Sequence, residues 1–526
     1  MINYVNGKTC RGPYRKTGSG GPDILMITFD MVPREFYLPR EGDLAPRTPN
    51  LDSLKQDGLF FSNAYAVSPL CSPSRAALYT GRYSYIVANG ERYHDGQQEH
   101  IREGDTIYPE YLRASGYRTR HFGKCHVGAA KYLDAFGEND APWDRWSPPW
   151  YDDDGYGDYL RGLGIEGFRF EREIRGLPPS GRGKGNFLGG WVSAGDRPFP
   201  KEGTYPAYTT GLALSELKNR KPGQPSYLQI DYFEPHQPFF IPAGYEERER
   251  ELRAALSLPE SWESAAGPAG APLPLIYSRY RSYWGIGDRK TAEDYLVANV
   301  LQYEILDAEI GRITGSLKEA GAYDHTMIVL AADHGEMNCR GGLIDKGAYL
   351  NPRVLQVPIY LKPAAPGPAV PAKRGAVIDR ICSLMDIAPT VLTAAGIEAL
   401  ARFDGRSLLE EGPGDRKLLA EVFAHVLPNP AACLIFERGK ETGMYTVNFA
   451  DPADEWYCRS GAGIWTEKNG AVPGAAPRDI IKEMLAFFDA DERWSAYSSY
   501  MRVIHAGADE TGRDLQKFVS HSIPAP

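Results

Sequence analysis

The sequence predicts an α/β protein built on a mostly parallel central sheet flanked by helices, followed by a smaller unit with an antiparallel sheet. Three observations carry this. Apolar runs of strand length end abruptly at a polar residue, helical segments with start and stop signals lie between them, and after about residue 415 consecutive strand patterns replace the alternation. The chain has 526 residues, too many for one small core. A main domain over residues 1–410 and a smaller α+β subdomain over 411–526 are therefore expected.

The elements follow in order. "ILMITF" (24–29) is a continuous apolar run, the pattern of a strand covered on both faces, and it stops at Asp30. "RTPNLDSLKQDG" predicts a short helix with Thr48 as cap, Pro49 at the first helical position and Gly58 as stop. "LFFSNAYAV" (59–67) is a second strand, and "LCSPSRAALYTGR" (70–82) follows at once. There Ser72 is a candidate cap, Pro73 suits the first helical position and Gly81 closes the helix. Cys71 thus falls on a strand-to-helix junction, where ligands gather in open α/β sheets. A helix is predicted over 106–116, with strands over 117–122 and 225–233. The longest helix is predicted over 291–321, with Thr291 and Asp294 in capping-box-like spacing and Gly321 as its end. "TMIVLAA" (326–332) is a buried strand running into Asp333. Residues 140–205, rich in Trp, Tyr, Asp, Gly and Pro, read as long surface loops. "LLAEVF", "CLIFER" and "MYTVNFA" read as strands of the antiparallel unit.

Composition narrows the class. Hydrophobic content of 42% and charged content of 24% suit a soluble globular enzyme. A net charge of −9 argues against nucleic acid or a membrane surface as partner, while leaving room for a local basic pocket. The seven cysteines are scattered without CxxC spacing, so neither a disulfide framework nor a structural zinc is expected. The first 21 residues contain no apolar signal region, and the expected location is cytoplasmic.

Chemistry-bearing residues cluster at the element ends. These are Asp30; Cys71 with Arg75; Lys124 and His126 in "FGKCHVG"; His236 in "FEPHQPF"; Asp333 and His334 in "AADHGE"; and Lys346 in "LIDKGAY". The prolines around His236 are expected to hold an extended backbone. Taken singly, each has a bland reading: a turn acid, a satisfied loop histidine, a solvated lysine, a small buried thiol. Together they offer two carboxylates and a histidine for a hard divalent cation, with Lys, Arg and His to neutralise an oxyanion and move protons. That inventory suits hydrolysis of an anionic ester.

The segment "CSPSRAALYTGR" resembles the sulfatase signature, in which the cysteine of Cys-x-Pro-x-Arg is oxidised to formylglycine. The resemblance continues in order through "TPNLDSLKQDGLFFSNAYA", "GYRTRHFGKCHVG", "EPHQPF", "AADHGEMNCRGGLIDKG" and "LQVPIYLKP", covering most of residues 22–410. It implies an alkaline-phosphatase-like fold and a sulfuric-ester hydrolase. Cys71, as formylglycine, would be the nucleophile and a metal ligand, with Asp30, Asp333 and His334 as the other ligands and Ca²⁺ as the ion. Arg75 would hold the hydrate, and Lys124 and Lys346 would clamp sulfate oxygens. His236 or Lys346 would protonate the leaving alcohol, and His126 would deprotonate the second hydroxyl so that sulfate is expelled and the aldehyde restored. The resemblance also implies a formylglycine-generating enzyme as maturation partner.

Departures matter as well. Many relatives carry two adjacent acids after the first strand, whereas Met31 follows Asp30 here. With one anionic ligand fewer, cation binding is expected to be weaker, or Mg²⁺ or Mn²⁺ to serve instead. Cys125 stands where relatives commonly have Trp and reads as a buried filler. The alternative activity is that of a phosphonate monoester hydrolase or phosphodiesterase with the same nucleophile; a third reading is an anion-binding relative without catalysis. A saccharide sulfate is placed ahead of a small-molecule aryl or choline sulfate. Aromatics in "APWDRWSPPWYDDDGYGDYL" would stack on sugar rings, cage a cationic head group or pack as a lid. Asn89, His94 and Asp95 are either pocket-lining or ordinary loop residues. Arg75, Lys124 and Lys346 are expected to make the pocket locally basic, and Lys124→Ala to damage turnover far more than folding.

Overall fold

The computed structural model describes residues 21–86, 104–127, 152–177, 186–221, 223–259, 274–365, 372–412, 415–449 and 478–506. Shorter described stretches are 4–5, 8–9, 14–16, 101, 132, 135–136, 141–143, 145, 147–150, 262, 455–459 and 465–470. Asn89, His94 and Asp95 lie outside the described residues.

The apolar runs form a nine-stranded sheet: β1 (Asp23–Asp30), β2 (Leu59–Tyr65), β3 (Arg118–Lys124), β4 (Ala141–Trp143), β5 (Ser226–Pro235), β6 (Thr326–Ala332), β7 (Gln356–Lys362), β8 (Ala376–Ile378) and β9 (Cys382–Ser383). Their spatial order is β8-β2-β7-β6-β1-β5-β3-β4, with β9 also on β2. Only β7 runs antiparallel to its neighbours, β6 and β2. Both faces are covered. On one, α1 (Pro49–Asp57) and α4 (Tyr205–Lys218) pack against α6 (Arg289–Glu319), Thr210 of α4 sharing a hydrogen bond with Tyr232 of β5. On the other, α2 (Cys71–Thr80), α3 (Tyr108–Ala114) and α7 (Ile387–Ala394) pack together, and Tyr79 of α2 reaches Asp231, the neighbour of Tyr232 along β5. Burial on both sides accounts for the near-continuous apolar character of these strands.

Five further strands, β10 (Leu418–His425), β11 (Leu427–Arg438), β12 (Glu441–Asn448), β13 (Glu455–Arg459) and β14 (Trp465–Gly470), form an antiparallel sheet in chain order. Its buried side chains join one apolar cluster with α2, with α5 (Leu275–Trp284) and with residues 343–355. Among the described residues no helix is long and apolar enough to cross a membrane.

Three local expectations need correction. Residues 140–205 contain more than loops: a helix at Asp154–Gly162 and strands at Arg169–Arg175, Phe187–Ala194 and Arg197–Pro198. With Phe239–Ile241, these strands make a four-stranded sheet. Trp143, Tyr156, Phe199 and Tyr205 from this region are buried with Phe233 and Phe240, so these rings form a core of their own. Gly189 permits the pairing, since a Cβ there would lie 2.1 Å from the Phe239 nitrogen. Second, α2 begins at Cys71 itself, after Leu70, so Ser72 is no cap and Pro73 is third in the helix. Third, α6 starts earlier than predicted, because Asp288 accepts a hydrogen bond from the Thr291 nitrogen at 2.9 Å.

Candidate active site

Parallel strands carry their terminal residues to one edge of the sheet. Asp30 closes β1, Lys124 closes β3, and Asp333 and His334 follow β6; all four are fully buried. Cys71 opens α2, with Arg75 one turn further on the same face. One donor atom from each of Asp30, Cys71, Asp333 and His334 lies within 4.8 Å of the others. Cys71 Sγ is 3.1 Å from His334 Nε2 and 3.7 Å from Asp30 Oδ1. The four residues of the predicted ligand set are thus brought together.

Two cations frame this group. Arg75 donates through Nε to Asp333 Oδ2 at 2.9 Å, through Nη2 to Asp30 Oδ2 at 3.1 Å and through Nη1 to the Lys124 carbonyl at 2.8 Å. Lys124 Nζ is 2.5 Å from Asp30 Oδ2 and 3.7 Å from Cys71 Sγ. Burial alone would raise the Asp30 carboxyl, but Lys124, with Arg75 and His334, holds it well below the usual carboxylate range. Burial and Asp30 raise the Cys71 thiol, yet Lys124, Lys346 and His334 prevail and bring it down to about 6. Burial lowers His334, while Asp333 and Cys71 raise it to about 9.

The second predicted pair also meets. Lys346 Nζ lies 2.5 Å from His236 Nε2, 3.2 Å from Asp345 Oδ1 and 3.9 Å from the sulfur of Met31, the residue after Asp30. His236 Nδ1 abuts the Gln237 carbonyl, which assigns a proton to Nδ1 and leaves Nε2 to accept from the ammonium. Electrostatics agree: burial, then Lys346, holds His236 well below its ordinary value, so it is neutral. Asp345 raises Lys346 above its ordinary value despite burial. The proton of the pair therefore resides on Lys346. The extended run expected around His236 is interrupted, since the chain bends at 236–238 between Ser226–Pro235 and Phe239–Ile241. Of the predicted site residues, His126 alone is half-buried.

The pocket is less basic than expected, because Arg75 and Lys124 pair with Asp30 or Asp333 and Lys346 pairs with Asp345. Two carboxylates and an imidazole converging in a buried site fit a divalent cation. For a hard ion, the sulfur of Cys71 is the odd donor, and an oxygen in its place would complete the set. Two acids escaped the sequence reading. Asp345 links the two loops, accepting from Gln237 Nε2 at 2.6 Å, and its signal was adjacency to Lys346. Asp231 lies behind Arg75, and its signal was a Gln229–Asp231 alternation inside an otherwise apolar strand.

The sulfatase family model matches residues 22–397. The chain is 27% identical over 389 residues to an arylsulfatase of Clostridium perfringens, covering 74% of this chain and 77% of that one. An N-acetylglucosamine-6-O-sulfatase of Bacteroides thetaiotaomicron is 23% identical over 516 residues, covering 85% and 82%. Among solved structures, a phosphonate monoester hydrolase from Silicibacter pomeroyi matches with a TM-score of 0.62 at 22% identity, covering 93% of this chain and 96% of that one, which shows a shared fold.

Proposed function

The chain belongs to the sulfatase family, with its alkaline-phosphatase-like α/β fold, and is a sulfuric-ester hydrolase; from this we propose that it removes sulfate from a saccharide, with residue 71 oxidised to formylglycine and Ca²⁺ as its ion. The family generally uses a metal ion and a modified cysteine. The observation that carries the reading is the buried Asp30–Cys71–Asp333–His334 group, closed in by Arg75 and Lys124. We assign the chemistry to residues 1–410 and treat 411–526 as the smaller subdomain. Asp30, Asp333, His334 and residue 71 would hold the ion. When bound, it supplies Lewis acidity toward sulfate oxygens and acidifies a coordinated hydroxyl. Maturation by a formylglycine-generating enzyme would replace the mismatched sulfur with the oxygens of an aldehyde hydrate.

The side chains then divide the remaining work. Arg75 fixes residue 71 from one helical turn away. Lys124 neutralises charge on the sulfuryl group, a role in which a buried cation acts with little reorganisation. Lys346 protonates the leaving oxygen, because it holds the proton that His236 can only accept. His236 aims the ammonium. His126 takes a proton from residue 71 as sulfate departs. A saccharide substrate is favoured by the likeness to the N-acetylglucosamine-6-O-sulfatase. The fold match to a phosphonate monoester hydrolase motivates the second reading, a phosphonate or phosphodiester substrate with the same nucleophile.

The test is peptide mass spectrometry across residue 71 after co-expression with a formylglycine-generating enzyme, followed by turnover of N-acetylglucosamine 6-sulfate, p-nitrophenyl sulfate and a phosphonate monoester. Formylglycine with preferred sulfate turnover is expected. Faster phosphonate turnover would select the second reading, and an unmodified thiol in active protein would remove the nucleophile assigned here.

A further inference from the structure

Arg75 is held from two sides. Its front reaches Asp30 and Asp333. Behind it, Asp231 Oδ2 lies 3.7 Å from Nη1, midway along β5 and outside the four-residue donor group. Asp231 is fully buried, and its Oδ2 accepts from Tyr79 Oη at 2.6 Å, His121 Nε2 at 2.9 Å and Gln229 Nε2 at 3.0 Å. Tyr79 stands one turn beyond Arg75 on α2, His121 is on β3, and Gln229 precedes Asp231 on β5, so one carboxylate ties three elements together. Gly123 allows the approach, because a Cβ there would lie 2.0 Å from the Asp231 carbonyl oxygen. Burial raises the Asp231 carboxyl, but His121, Arg75 and Tyr79 hold it below the usual range.

Three carboxylates therefore share one guanidinium. Without Asp231, that charge would fall entirely on Asp30 and Asp333, the two oxygen donors of the cation site. Among the described residues the donor group holds only two carboxylates, so the site has little negative charge to lose. We propose that Asp231, locked by Tyr79, His121 and Gln229, is a positioning residue that draws the rear of the Arg75 guanidinium and keeps Asp30 and Asp333 available to the cation. This rests on the assignment of Asp30 and Asp333 as cation ligands.

The experiment compares matured wild-type protein with Asp231→Asn, Tyr79→Phe and a control, Asp386→Asn. Asp386 is likewise fully buried and arginine-paired, its Oδ1 2.7 Å from Arg416 Nη2, but lies outside the cluster. Each protein is stripped with a chelator and titrated with CaCl₂, with thermal midpoint, kcat and KM read separately. Asp231→Asn is expected to keep KM while kcat falls and half-saturating Ca²⁺ rises, each about tenfold or more. Tyr79→Phe should move both in the same direction by less, and Asp386→Asn should lower the midpoint and move neither. Wild-type kcat and Ca²⁺ response in Asp231→Asn, or in Tyr79→Phe if the first variant does not fold, overturns the proposal. A wild-type protein that turns over sulfate esters without responding to Ca²⁺, Mg²⁺ or Mn²⁺ overturns the cation reading and this proposal with it. Failure of sulfate turnover with an intact Ca²⁺ response overturns only the substrate reading and leaves the Ca²⁺ half-saturation of the variants to decide.

Discussion

Replacing Lys346 with Ala separates leaving-group protonation from sulfate binding. The ammonium is 2% exposed and lies 2.5 Å from His236 Nε2, so its removal takes away the one proton that the pair can deliver. Folding should survive. Asp345 loses its buried ammonium partner but retains Gln237 Nε2 at 2.6 Å and the residue 346 backbone nitrogen at 2.6 Å, for a loss of roughly 3–5 kcal/mol. Asp345 holds the proton firmly on Lys346, but a departing sugar alkoxide, the anion of an alcohol far less acidic than a phenol, is basic enough to take it. A nitrophenolate leaves without help. General-acid assistance is worth about 10²–10⁴ in rate, or roughly 3–5 kcal/mol of barrier. Lys346→Ala should therefore cut kcat on N-acetylglucosamine 6-sulfate by about 10²–10⁴, and on p-nitrophenyl sulfate by about tenfold or less. The assay is initial-rate kinetics on both substrates at equal formylglycine occupancy. Equal losses would refute the acid assignment and make Lys346 a sulfate clamp only.

Three further outcomes are expected. Lys124→Ala should lower kcat/KM by about 10²–10³. Contrary to the expectation from sequence, it should also lower stability by roughly 3 kcal/mol, because Lys124 is fully buried on Asp30; an unchanged denaturation midpoint would contradict that pairing. Glu234 is 2% exposed with Oε1 lacking a hydrogen-bond partner among the described residues, and burial, with Asp30 adding, pushes its carboxyl from 4.5 up to about 8. The unfolded chain releases this proton above pH 4.5 while the folded chain keeps it, so stability falls with rising pH by about 1.4 kcal/mol per unit until about pH 8. The Tm advantage of Glu234→Gln over wild type should accordingly widen from pH 5 to 8 and then level off, and parallel curves would mean that Glu234 is ionised when folded. Chelation should lower both kcat and Tm, with Ca²⁺ restoring them; better restoration by Mg²⁺ or Mn²⁺ would reassign the ion.

What could be read from the sequence was decided by where a polar residue breaks a pattern. Asp30 and Asp333 end apolar runs that need no acid, and Cys71 sits where a strand hands over to a helix, so the strand ends exposed the site before any contact was known. The reach of each side chain stayed hidden. Nothing local says that Lys346 meets His236, 110 residues away, or which of the two keeps the proton; Asp345 and the Gln237 carbonyl decide that. Residues 140–205 were misjudged for the same reason. Their Gly, Pro and Trp content looks like loop, and they become sheet because Phe187–Ala194 pairs with Arg169–Arg175 and Arg197–Pro198 and takes a further strand from the distant segment Phe239–Ile241. Asp231 is the sharpest case. A lone acid inside "YLQIDYF" looks like a blemish in a buried strand, yet Gln229 two residues earlier faces the same way, and a buried strand has no cause to carry two polar residues on one face unless something charged lies opposite. That something is the guanidinium of Arg75, and the same rule would have pointed to it from the sequence: a polar alternation inside an apolar strand calls for a buried partner of opposite charge.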